Sequence, residues 1–338
     1  MLPVAIVLGI SSYLVYHFVP ALRPIGPACH AFAAEGQRWV IALLLFFQFV
    51  KVSPHDIKFC RWHLRALLIQ VCSFLVLALV TAFTGPGAAR IVLESAMLCL
   101  ICPTASAAGV VTEKLGGRLN ETVSYVVMIN CVATLLIPLV IPLVRPSADM
   151  GFWAYVGHIA LRVFPVLLLP CALAWIIRYT THKLQRILMR WSKYSFYIWG
   201  VGLTLAMVLS TRALVLSGLG LGPVACIVAV SIACCFVQFF LGREISPRAS
   251  LGRDDKGGAL GRDDKGGALS RDDKVGALGR DDSEAGRVTS GQALGQKNTG
   301  FLIWLGYSYM TPVTSVAGGL YAIWQNLFNS WELYRKGK

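Results

Sequence analysis

The chain has 338 residues, 56% of them hydrophobic and 14% charged, with a mean hydropathy of +0.64. A soluble domain carries roughly 25% charged residues, so this composition excludes an ordinary soluble protein and predicts a membrane one. The net charge of +14 does not point to nucleic acid. Ten Lys/Arg and ten Asp/Glu cancel between residues 243 and 296, and the excess flanks apolar segments, as the positive-inside rule expects.

In chain order, apolar segments are predicted at 2–22, 39–52, 64–84, 91–112, 122–144, 152–177, 195–216, 221–241, 287–311 and 313–334. Most approach the roughly 20 residues that cross a bilayer. The first lacks a basic n-region and a small-residue cleavage site, so a retained span is expected there. Ten spans put both termini on one side. Fourteen Lys/Arg fall in one set of alternating connections and five in the other, which predicts cytoplasmic termini in an inner or plasma membrane. Seven of the ten cysteines sit inside apolar runs, where cysteine behaves as a small hydrophobe. Neither a disulfide framework nor a metal site is read from their spacing.

Two segments are interrupted. The fourth reads "LCLICPTASAAGVVTEKLGG", with Pro103 and Thr104 near its middle, and the ninth contains "GQKNTGF", with Asn298, Thr299 and Gly300 at its break. Proline removes a helix hydrogen bond, and Gly and Asn tolerate conformations that end a helix. Each interruption is fourth in its set of five. Corresponding broken spans are the sequence pointer to an inverted-repeat transporter whose site lies where the breaks meet. The expected fold is therefore all-α and integral to the membrane, with ten helices in an inverted 5+5 repeat. Residues 1–147 hold helices 1–5, residues 148–242 helices 6–8, and residues 287–338 helices 9–10. Between them, "RDDK" recurs at Arg253, Arg262 and Arg271, followed by "RDDS" at Arg280, a period of nine. A charge-balanced, glycine-rich tract offers little to bury, so residues 243–286 are predicted as a disordered cytoplasmic loop.

At its two broken segments the chain resembles the bile acid:sodium symporter family. "CPTASAAGVVTEKLGG" is similar to that family's Cys-Pro-Gly-Gly-Thr-Ala-Ser-Asn stretch, and "QKNTGF" followed by "GGLYAIWQNLFNSW" to its Gln-Asn-Ser-Gly and Trp-His-Asn segments. The likeness covers nearly the whole chain except the repeats. It implies a core and a panel domain, crossing helices 4 and 9, and inward carriage of organic anions with sodium. The residues expected to hold sodium depart from the family's pattern. Its Ser-Asn pair falls on Ala108 and Gly109, its helix-5 Ser and Thr on Val126 and Asn130, and its acidic residue near Gln292 or Ala293. Gln70 matches a sodium-ligating glutamine, whose usual partner falls on Lys297.

Lys297 is therefore expected at a sodium site as a built-in cation, donating to Gln70 and to carbonyls freed at the break. A desolvated ammonium also holds its proton less firmly, which would suit proton exchange. The plainer alternative is a lysine snorkelling to the surface. Thr104, Ser106, Asn298 and Thr299 are expected around a small organic anion, assisted by the positive ends of half-helices. Arg162 in the sixth span is a candidate to attract that anion or to reach lipid headgroups. Asn130, Gln325 and Asn326 either line its path or bond between helices, and Glu94 and Glu113 are expected at solvent-facing span ends. The rivals are a proton-coupled antiporter and a non-transporting sensor. No nucleophile, base and ligand set suggests an enzyme, and neither a cofactor nor an obligate protein partner is expected.

Overall fold

Helices account for the regular structure of the described residues, and no strand occurs among them. The computed structural model describes residues 2–57, 59–246 and 271–336. In chain order the helices are α1 (Leu2–Phe18), α2 (Gly26–Lys51), α3 (Arg61–Phe83), α4 (Ala88–Ile101), α5 (Ala108–Lys114), α6 (Leu119–Val144) and α7 (Phe152–Leu167). They continue as α8 (Leu169–Thr180), α9 (His182–Trp191), α10 (Ser195–Leu216), α11 (Leu221–Ile245), α12 (Arg271–Gly295), α13 (Thr299–Tyr309) and α14 (Ser315–Lys336).

Among the described residues, five helical stretches are long and apolar enough to cross a membrane: 20–51, 61–83, 119–144, 182–216 and 221–245. The bent pair α7 and α8 makes a sixth. The bend is 41° at Leu168, and Pro170, which has no N–H to give the preceding turn, lies at the start of α8. The protein is thus a multi-pass, all-α membrane protein. Large apolar side chains point outward along the spans, including Leu68, Val76, Leu79 and Phe83 on α3 and Leu135 and Leu143 on α6. Such a run of exposed apolar surface is stable against lipid and not against water.

Two expected boundaries change. The second span begins at Gly26, well before residue 39, because a helix of small residues and moderate hydropathy precedes its apolar run. The loop predicted at 243–286 is helical from Arg271 onward, where α12 begins, so that part of the expectation is corrected; residues 247–270 lie outside the described residues. The end of α12 nearer the break packs against α11 at very short range. A Cβ on Gly242 would lie 2.6 Å from the Ser290 carbonyl oxygen, and one on Gly295 would lie 2.3 Å from the Phe239 ring. Only glycine permits that approach.

Two charged clusters hold the helix ends. Glu94, expected to meet solvent, is instead fully buried. Its carboxylate accepts from Arg145 Nε at 3.0 Å, Arg90 Nε at 3.4 Å and the Thr311 amide at 3.0 Å, joining α4 to the end of α6 and the turn after α13. Local sequence could not show partners 51 and 217 residues away. At the opposite end of the spans, Arg243 on α11 pairs with Glu284 on α12 and Glu332 on α14.

Candidate functional site

The two interrupted helices meet at their breaks. Pro103 disfavours helical geometry at the residue before it, and Cys102 accordingly turns out with ψ of 127° after α4 ends at Ile101. On the other side α12 ends at Gly295, and Asn298 caps α13, its Oδ1 accepting from the Phe301 amide at 3.2 Å. The short extended pieces between these helices run antiparallel, with Thr104 opposite Lys297. The Ala105 amide donates to the Gln296 carbonyl at 3.0 Å, and the Asn298 amide donates to the Pro103 carbonyl at 2.8 Å.

A helix end leaves backbone groups without intrahelical partners, and in lipid they require protein partners. At the end of α4, the Cys99 carbonyl accepts from Gln238 Nε2 at 3.2 Å, Cys102 from Gln70 Nε2 at 3.1 Å, and Leu100 lies 3.5 Å from Lys297 Nζ. At the end of α12, the Ala293 carbonyl accepts from the Thr104 hydroxyl at 2.6 Å and Gly295 from the Tyr321 hydroxyl at 2.8 Å. The Lys297 amide donates to Gln325 Oε1 at 2.9 Å. Most of the polar side chains at the crossing therefore complete the backbone of two broken helices.

Lys297 is 0% exposed, so it does not snorkel. Its ammonium sits at the carbonyl end of α4, the negative end of the helix dipole. The expected bond from Lys297 to Gln70 is replaced: Gln70 donates to Cys102 and accepts from the Tyr125 hydroxyl at 2.8 Å. Among the described residues, no ion pair to Lys297 is formed.

The other expected residues divide. Thr104, Ser106, Lys297, Asn298 and Thr299 converge at the crossing, although the Thr104 hydroxyl is committed to Ala293. Asn130 is buried on α6, its amide nitrogen donating to the Val126 carbonyl at 2.8 Å and its Oδ1 without a partner. Arg162 is exposed on α7 and does not line the crossing cavity. That cavity measures about 90 Å³, which is below the usual size of a small-molecule site. The crossing forms one wall, with Ser106, Lys297, Asn298 and Thr299, and α10 and α2 form the facing one, with Trp199, Leu203 and Gln37. Gln325, Asn326 and Asn329 of α14 complete it, and no Asp or Glu is among its lining residues.

Sequence reasoning missed Gln37, Trp199, Gln296 and Asn329. Gln37 fell outside the expected second span, and its Oε1 is buried without a partner. Gln296 gives its amide to Gln292 and Asn329, and Gln292 gives its own to Asn329 at 3.1 Å and Glu332 at 2.6 Å, a relay visible only once α12 lies against α14.

The positions at which sodium ligands were expected offer few oxygens. Ala108, Gly109 and Val126 have none in their side chains, and Gln292 is bonded into the relay. No protein-family model matches the chain, and no curated protein matches it.

Proposed function

We propose that the protein is a secondary transporter that moves a small organic anion by alternating access, with weak or no dependence on sodium. The observation that carries this reading is the antiparallel pairing of residues 103–105 with 296–298, where two helices break and complete each other's backbone beside an open cavity. Irregular backbone at membrane depth is tolerated where protein or a watery cavity surrounds it, and transporters place their sites at such breaks. On this reading the broken helices count as single spans, giving ten in an inverted 5+5 repeat with cytoplasmic termini. The resemblance to the bile acid:sodium symporter family points the same way.

An anion suits the cavity because its lining includes Lys297 and the start of α13 and lacks carboxylates. Of the two walls, α2 with α10 and the crossing, one moves against the other to expose the site alternately. The Lys297 ammonium supplies fixed positive charge where the resemblance expects a mobile sodium ion. A proton-coupled antiporter would pair such a lysine with a carboxylate. The buried Glu94 is already committed to Arg90, Arg145 and Thr311.

The test is uptake into proteoliposomes of a panel of organic anions, from short keto acids to a bile salt, with sodium or choline outside. Uptake of at least one anion with no more than about a threefold sodium effect is expected, less than half of one decade-sized 1.4 kcal/mol coupling step. Lys297→Gln, which restores an amide, is expected to raise the sodium effect. Absence of uptake for the whole panel rejects the carrier, and strong sodium dependence of the wild type rejects the role given to Lys297.

A further inference from the structure

A second cavity lies away from the crossing, between the middle of α12 and the ends of α11 and α14 that the Lys/Arg distribution assigns to the cytoplasm. It holds about 1070 Å³ of empty space, including its mouth. Its charged lining consists of Arg243, Arg287, Arg335 and Lys336 against Glu284 and Glu332. Both carboxylates are taken by Arg243.

Among the described residues, the other three cations have no carboxylate inside the groove. Arg287 reaches outward to Glu244 at 2.7 Å through Nη2, while its Nε is buried with no hydrogen-bond partner. The Arg335 guanidinium lies over the Trp331 ring, 4.9 Å from its centroid. Lys336 Nζ donates to the Lys114 carbonyl at 3.1 Å. The Arg287 side chain is 39% exposed, which leaves its guanidinium open to an anion in the groove.

The floor is aromatic. Phe328 on α14 contacts Phe240 on α11 at 6.1 Å between ring centroids and Trp331 at 5.6 Å. Phe240 and Trp331 are also about half exposed, and Val237 and Leu327 extend the same apolar surface along the two helices. A free anion has no use for that surface, whereas an acyl chain does.

We propose that this groove binds an anionic phospholipid of the cytoplasmic leaflet, its phosphate among Arg287, Arg335 and Lys336 and its acyl chains along Phe240 and Trp331. Guanidinium groups recognise phosphate through directed paired hydrogen bonds, and basic pockets between membrane helices on the cytoplasmic side suit lipid head groups. The site depends on the protein lying in a membrane and not on what it carries. It gives the lipid a grip on the middle of α12, whose C-terminal end forms the crossing.

The full-length protein, purified in a neutral maltoside detergent, would be melted with added phosphatidylglycerol, phosphatidylcholine or inorganic phosphate. Phosphatidylglycerol is expected to raise Tm by roughly 4 °C or more, as a ligand of the folded state does at saturation, with little effect from the other two. The double variant Arg335→Gln/Lys336→Gln, and separately Arg287→Gln, should melt near the wild type without lipid and lose at least half of the shift. Native mass spectrometry should show the matching loss of bound lipid, which keeps the test decisive if a variant melts lower. Equal shifts from both lipids, or a full shift in both variants, overturn the proposal. A full shift from inorganic phosphate alone overturns its lipid part.

Discussion

Replacing Glu94 with glutamine changes one atom in a buried carboxylate and leaves no cavity, so its effect reads the charge cluster alone. In the wild type, Oε1 accepts from Arg145 and Arg90, and Oε2 accepts from the Thr311 amide. All three partners are donors. A glutamine presents one oxygen and one NH2 group, so in either orientation an NH2 group faces a donor. Removing one member of a fully buried ion pair costs about 3–5 kcal/mol. Here the Arg90 and Arg145 side chains are 19% and 38% exposed and recover part of their hydration, which lowers the expectation to about 2–3 kcal/mol. At roughly 2–4 °C per kcal/mol for chains of 150–250 residues, Tm should fall by about 4–12 °C. A thiol-reactive dye is a convenient probe, because Cys99, Cys102, Cys171 and Cys235 are buried and become reactive on melting. Glu113→Gln, at an exposed position, should leave Tm unchanged. A Glu94→Gln protein melting within about 1 °C of the wild type would refute the reasoning, since that margin is under 0.5 kcal/mol.

Lys297→Met should melt at or slightly above the wild type, because a buried cation without a carboxylate is replaced by an apolar group of similar length. A fall of more than about 4 °C in the same assay would show that its 3.5 Å approach to Leu100 holds the crossing together. Tyr125→Phe strands the Gln70 oxygen and should cost about 1–3 kcal/mol, read as a lower Tm. Gly242→Ala places a methyl group 2.6 Å from a backbone oxygen of α12, so the helices must part, at about 1–3 kcal/mol. Its purified yield and Tm should fall together, and an unchanged Tm would contradict that close approach.

The breaks were legible because their causes are local. Pro103 acts on its own turn, and the Gly, Asn and Thr near residue 298 carry the signals of a helix end and a cap. The residues that answer those breaks were less legible. Gln238 and Tyr321 give no sign in their own segments that they serve carbonyls on α4 and α12. Gln70 was found only through resemblance, and its actual partners are Cys102 and Tyr125 rather than Lys297. Glu94 looked like a span-end charge because its partners lie in distant parts of the chain. The start of α12 was misjudged for a related reason. Its repeats have a loop-like composition, but part of the helix gains an ordered neighbour in α11 through Arg243, Glu244, Gly242 and Phe239.

The pairing at the crossing also sets an order of assembly. Thr104 waits for a partner 189 residues later in the chain. At roughly 5–20 residues per second, synthesis of that interval takes about ten seconds or longer. Throughout that time the first broken helix lacks the acceptors and donors that α12 will bring, so the first half cannot mature alone. The nascent protein must shelter an unfinished segment until the second break emerges, and a truncation before residue 298 should be a substrate for membrane quality control rather than a smaller stable protein.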